Sequence, residues 1–104
     1  MNTMQIFMEY KVHDDYVVDY ERLMLHIKEE MQHLKVRNYR AYKAYDQPNL
    51  FVEMFEVANH HEYEFVKNSR RDENHPVFGK LAPLLTKPLA NMNCWAFIEQ
   101  KENN

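Results

Sequence analysis

Glycine is nearly missing from this chain, one residue in 104, which excludes a loop of several glycines wrapped around a phosphate. Cysteine is as scarce: Cys94 stands alone, so no disulfide can close within the chain. Its apolar surroundings predict a buried, reduced thiol, in keeping with a cytoplasmic protein. Long hydrophobic runs are absent. No stretch approaches the roughly 18 apolar residues of a membrane span, and the N-terminus lacks the basic start and apolar core of a secretory signal. Positive charge is not in surplus either. Thirteen basic and 16 acidic residues leave a formal charge of −3, which offers no pull toward nucleic acid or an anionic membrane. The length has room for one domain, residues 1–104, around one hydrophobic core.

What is present is alternation. From Asn49 to Val57 the side chains form two sets, Leu50, Val52, Met54 against Phe51, Phe55, Val57, and both are largely apolar. Successive strand residues point to opposite faces, so this strand needs cover on both sides. Met4–Val12 alternates as a first strand, with Met4, Ile6, Met8, Tyr10 and Val12 on its apolar face. From Asp14 the period changes to three and four residues: Tyr16, Val17, Tyr20, Leu23, Met24, Ile27, Met31 and Leu34 form a helical stripe, with Asp14 the expected N-cap. Tyr39–Tyr45 alternates again and, across the turn Asp46–Asn49, makes a hairpin with Leu50–Val57. Asn59 with Glu62 three residues on spells a capping box at the start of a second helix through Tyr63 and Val66. The polar run Arg70–His75 interrupts that helix, Pro76 restarts a short one with Phe78, Leu81, Leu84 and Leu85 on its apolar side, and Pro83 limits its length. Met92–Glu99 is the fourth strand, and residues 100–104 are a frayed polar end.

The order strand, helix, strand, strand, helix, strand is the βαββαβ arrangement of ferredoxin-like α+β folds, with an antiparallel four-stranded sheet. Two helices cover one face of such a sheet. The other would leave aromatic and Met side chains in water, and a bare apolar patch of more than a few hundred Å² is uncommon on a monomer. The expected cover is a second copy, in a homodimer burying on the order of 1,500 Å².

In length and element order the chain resembles the dimeric α+β-barrel superfamily, which includes antibiotic-biosynthesis monooxygenases, haem-degrading monooxygenases and L-rhamnose mutarotases. The resemblance implies two ferredoxin-like sheets joined into a barrel, with a small organic ligand between sheet and helices of each protomer. Met8-Glu9-Tyr10-Lys11-Val12, and Glu56-Val57 leading through Asn59 to Tyr63, are similar to the haem-degrading members. Those enzymes, however, carry Asn at the place of Tyr10, Trp near Val57 and a haem-ligating His near Ala82. Asn38-Tyr39-Arg40-Ala41-Tyr42 and Asn49-Leu50 leading to Met54 and Glu56 resemble the mutarotase hairpin. Tyr20 would stand for that family's catalytic Tyr, but its His falls on Met24 and its paired Trp on Val77 and Phe78.

Glu53, alternating with Phe51 and Phe55, reads as a carboxylate in an apolar setting whose pKa desolvation raises, which makes it a usable base. The structural alternative is pairing with Arg40 or Lys43 across the hairpin. Tyr10, Tyr20, Tyr42 and Trp95, with Phe55 and Phe78, are candidates to line a flat ligand pocket; the alternative is that they fill core and interface. His75 is a candidate acid/base or a cap of the short helix. His26, Glu30 and His33 lie on neighbouring positions of the first helix, where His26 and Glu30 could chelate, but no Cys or third clear ligand accompanies them and no metal is expected; no cofactor is expected either. The candidate catalytic set is thus Glu53, His75 and Tyr20. Three functions stay open: a cofactor-independent monooxygenase of an aromatic or quinol-like substrate, a non-catalytic ligand-binding or interaction dimer, and a mutarotase-like isomerase.

Overall fold

A computed structural model describes residues 3–101. Four strands, β1 (Met4–Lys11), β2 (Arg37–Lys43), β3 (Leu50–Val57) and β4 (Asn93–Ile98), form one antiparallel sheet in the order β2-β3-β1-β4. Two helices, α1 (Val17–Gln32) and α2 (His60–Arg70), cross between strands, giving the expected ferredoxin-like α+β topology. Along β3 every second side chain is buried: Phe51, Phe55 and Val57 meet the helices together with Glu53. Its register with β1 sets Ile6 beside Phe55, Met8 beside Glu53 and Tyr10 beside Phe51. Against them α1 turns the stripe Tyr20, Leu23, Met24, Ile27 and Met31, and α2 turns Val66 and Arg70. Phe78, Leu81, Leu89 and Met92 complete this core.

The other sheet face is uncovered within the protomer. Phe7, Val52 and Met54 are partly exposed there, and Tyr42, Trp95 and Phe97 are 49, 44 and 54 % exposed. The Phe7 and Trp95 rings stack at 5.6 Å across the β1–β4 pair. Helical cover is also incomplete at the far end of β4, where Ala96 and Ile98 stay exposed.

Local signals were realised unevenly. The Asn59 side chain accepts the Glu62 amide at 2.9 Å, as a capping box requires, while the Glu62 carboxylate reaches back to the Ala58 amide at 2.9 Å. Asp14 is not the cap of α1. A 3₁₀ turn, Asp14–Tyr16, precedes the helix, no side chain caps it, and the Asp14 carboxylate instead accepts from the Asn49 side-chain amide. That contact holds Asn49 at φ 62° in the left-handed region that Asn tolerates, where the hairpin enters β3. The second strand lies two residues earlier than its alternation predicts, because the Ala44 amide closes the hairpin on the Leu50 carbonyl at 2.9 Å and leaves Tyr45 in the turn. Pro76 sits in a turn, and the short helix after it is 3₁₀, Phe78–Leu84, with Pro83 inside. A Cβ at Gly79 would stand 2.3 Å from the Glu73 carbonyl oxygen, so only glycine lets this helix pack on the preceding loop. Among the described residues no helix is long and apolar enough to cross a membrane. Of the frayed end expected at residues 100–104, residues 102–104 lie outside the described ones.

Candidate functional site: a buried carboxylate between sheet and helices

A carboxylate offers about four lone-pair positions, and all four of Glu53 are occupied. Arg70 grips it in a two-pronged pair, Nη1 to Oε1 at 2.8 Å and Nη2 to Oε2 at 2.7 Å. The Tyr10 hydroxyl donates to Oε2 and the Tyr39 hydroxyl to Oε1, each at 2.5 Å. With its proton committed there, Tyr10 accepts from the Tyr20 hydroxyl at 2.8 Å. Glu53 and Arg70 are both 0 % exposed. Each partner arrives by local geometry: Tyr10 and Glu53 share a sheet face by strand parity, Tyr39 comes from the neighbouring strand, and Arg70 follows Tyr63 and Val66 on the inner stripe of α2.

The electrostatics reverse the expectation for Glu53. Burial alone would raise its pKa, but the Arg70 charge, the two guanidinium hydrogen bonds and the two phenols outweigh it and hold the carboxyl below its usual value. Glu53 is therefore a fixed anion with no free lone pair, and it cannot take a proton as a base at neutral pH. The expected pairing with Arg40 or Lys43 does not form either; both lysine and arginine are exposed. Burial, followed by the neighbouring Glu53 charge, pushes Tyr10 and Tyr39 well above the usual phenol range. Burial also raises Tyr20. Arg70 would be lowered by burial, but the Glu53 charge raises it on balance. The cluster thus stays an ion pair ringed by protonated phenols across the neutral range.

The other candidates are divided between regions. Phe55 and Phe78 are fully buried, Phe55 near the Tyr39 ring and Phe78 under the Arg70 guanidinium at 5.0 Å. Tyr42 and Trp95 lie on the opposite, uncovered face, so the pocket expected from Tyr10, Tyr20, Tyr42 and Trp95 is not assembled. His75 acts as a cap: its Nδ1 accepts the Val77 and Phe78 amides at 3.1 Å each, and its ring stacks on Phe78 at 4.4 Å. Its Nε2 lies 3.9 Å from Glu30, away from Glu53. His26 and His33 are exposed, and among the described residues no three His, Cys, Asp or Glu side chains gather as a metal would require. Burial pushes the Cys94 thiol up, the wrong direction for a nucleophile.

Two members of the cluster escaped sequence reading. Arg70 opens the polar run expected to interrupt the helix, yet it is the last residue of α2, seven residues after Tyr63 and four after Val66, on the stripe that faces the core. Tyr39 shares the strand parity of Ala41, opposite Glu53.

No family model matches the sequence, and no curated protein is similar to it. Solved structures are. A conserved protein from Methanosarcina mazei superposes with a TM-score of 0.75 at 16 % identity, covering 96 % of this chain and 95 % of its own. An antibiotic biosynthesis monooxygenase superposes at 0.66 with 9 % identity, covering 96 % and 99 %. A DABB family protein of Mesorhizobium loti with a ferredoxin-like fold superposes at 0.64 with 12 % identity, covering 97 % and 100 %. This chain has their fold. The ferredoxin-like fold that the resemblance implied is borne out over nearly the whole chain.

Proposed function

We propose that the protein works as a homodimeric α+β barrel, its uncovered sheet faces packed together, that binds a small aromatic or quinol-like molecule. The activity to look for is a cofactor-independent monooxygenase. The observation that carries the dimer is the uncovered face itself: Phe7, Tyr42, Val52, Met54, Trp95 and Phe97 project from all four strands on the side without helices. A second copy is the self-complementary cover that twofold symmetry supplies. The oxygenase activity rests on likeness of fold to an antibiotic biosynthesis monooxygenase, and one fold hosts many chemistries.

A specific observation favours a second reading, a dimer that binds its ligand without turning it over. The carboxylate in the sheet–helix space is saturated, its pKa is depressed, and the phenols around it are held protonated. That arrangement builds a rigid core and leaves no base there to start a carbanion. Sedimentation at micromolar concentration tests the dimer, and a monomer overturns both readings. Oxygen uptake with quinols and anthrone-type substrates separates them: turnover without added cofactor supports the oxygenase, while saturable binding with no uptake supports the binder.

A further inference from the structure

β4 leaves β1 before β1 ends. Their pairing runs from Met4 with Ile98 to Glu9 with Asn93 and stops, although β1 continues to Lys11. There the Thr86 amide bonds the Lys11 carbonyl at 3.0 Å and Leu85 bridges Val12, after which the chain bows outward through a 3₁₀ turn, Leu89–Asn91, before β4 begins. The bow is anchored. Leu89 and Met92 are buried, and Arg71 Nε donates to the Met92 carbonyl at 3.2 Å. Between the bow and the end of β1 lies a cleft of about 190 Å³.

Its lining mixes apolar and cationic groups, including Leu50, Leu85 and Met92 with Lys11 and Lys87. Glu9, the anion of the lining, already accepts from Asn93 Nδ2 at 3.1 Å. Neither lysine has an ion-pair partner among the described residues. Glu9, Lys11, Leu50 and Asn93 project from the uncovered sheet face, so the second copy proposed above would close over the mouth. Ammonium groups shut off from water need a counter-charge. The volume lies below the roughly 300 Å³ at which drug-sized pockets begin, which suits one ring and a substituent better than a fused polycycle.

The geometry points to a small single-ring carboxylic acid as the ligand of this cleft, its ring against Leu50, Leu85 and Met92 and its carboxylate between Lys11 and Lys87. This assignment rests on the dimeric ligand-binding reading and names the ligand class and its place. Calorimetric titration with 4-hydroxybenzoate, its methyl ester and anthracene-2-carboxylate, run beside sedimentation, tests it. The expected result is saturable binding of 4-hydroxybenzoate, weakened about tenfold or more for the ester and in Lys11→Met and Lys87→Met. The three-ring acid should not bind, and Leu50→Trp, which fills the cleft, should abolish binding. A dimer that fails to bind 4-hydroxybenzoate, or binds acid and ester equally, overturns the cleft assignment and leaves the dimer standing. A monomer overturns the dimeric reading itself.

Discussion

The two faces of one sheet solve opposite problems. On the helix side a carboxylate and a guanidinium are sealed in the core, and every charge they bring is answered by a neighbour within the same chain. On the other side the apolar side chains Phe7, Tyr42, Val52, Met54, Trp95 and Phe97 stand without cover among polar neighbours such as Gln5, Glu9, Arg40 and Glu56, with Trp95 and Phe7 stacked in the open. The covered face shows that a buried ion pair is tolerated when each lone pair of the acid is matched. The uncovered face shows that strand alternation can make a sheet greasy on both sides whether or not the protomer has helices enough to hide it.

The sharpest way to break this contrast is to remove one half of the ion pair. Arg70→Met leaves Glu53 buried and uncompensated, and urea denaturation should show a loss of about 3–5 kcal/mol. Converting both residues to Met should recover part of it, because the unpaired charge is gone although the Tyr10 and Tyr39 hydroxyls lose their acceptor. A double variant no more stable than the single one would mean that the pair is not the source of the loss. Next is the other face. Trp95→Glu should weaken association of the proposed dimer by about 2 kcal/mol or more in sedimentation, as loss of an aromatic interface anchor does. The protomer's own fold should survive, since Trp95 is outside its core.

The pH dependence of stability should carry the signature of the covered face. Glu53 has a folded pKa below its unfolded value, roughly 4.3, so its contribution is complete above that pH and is lost as pH falls toward the folded value. Tyr10, Tyr20 and Tyr39 have folded values above the unfolded value near roughly 10, so theirs is complete below that pH and is lost as pH rises. Urea midpoints measured from acid to alkali should fall at both ends, and Glu53→Gln should flatten the acid limb. An unchanged acid limb in that variant would remove Glu53 from the account. The smallest expected effect is local: Asn59→Ala deletes the cap of the helix that carries Arg70 and should cost about 1 kcal/mol.

Much of this was legible in the residues. The alternation of Leu50–Val57 marked a strand with apolar residues on both sides, and its burial on the helix face follows that alternation residue by residue. Asn59 and Glu62 marked the start of α2, because a cap is a contact between residues three apart. Asp14 failed as a cap because Asn49, 35 positions away, claims its carboxylate. Arg70 was unreadable for a related reason. In sequence it opens a polar run, and only the packing of α2 on the sheet brings it to Glu53, 17 residues back. The expected pocket aromatics separated because parity within a strand is local, while register between strands is not: Trp95 opposes Phe7, and Tyr10 opposes Phe51.

By itself the sequence determined the order of elements, the ferredoxin-like class and the presence of large apolar side chains on both sheet faces, since periods of two and of 3.6 residues are written between near neighbours. Only the tertiary structure decided that Glu53 is an anion clamped by Arg70, that His75 caps a turn, and that a cleft opens where β4 leaves β1. A carboxylate's pKa and a cavity's walls depend on which distant groups the fold brings within a few ångströms, and no local pattern carries that information.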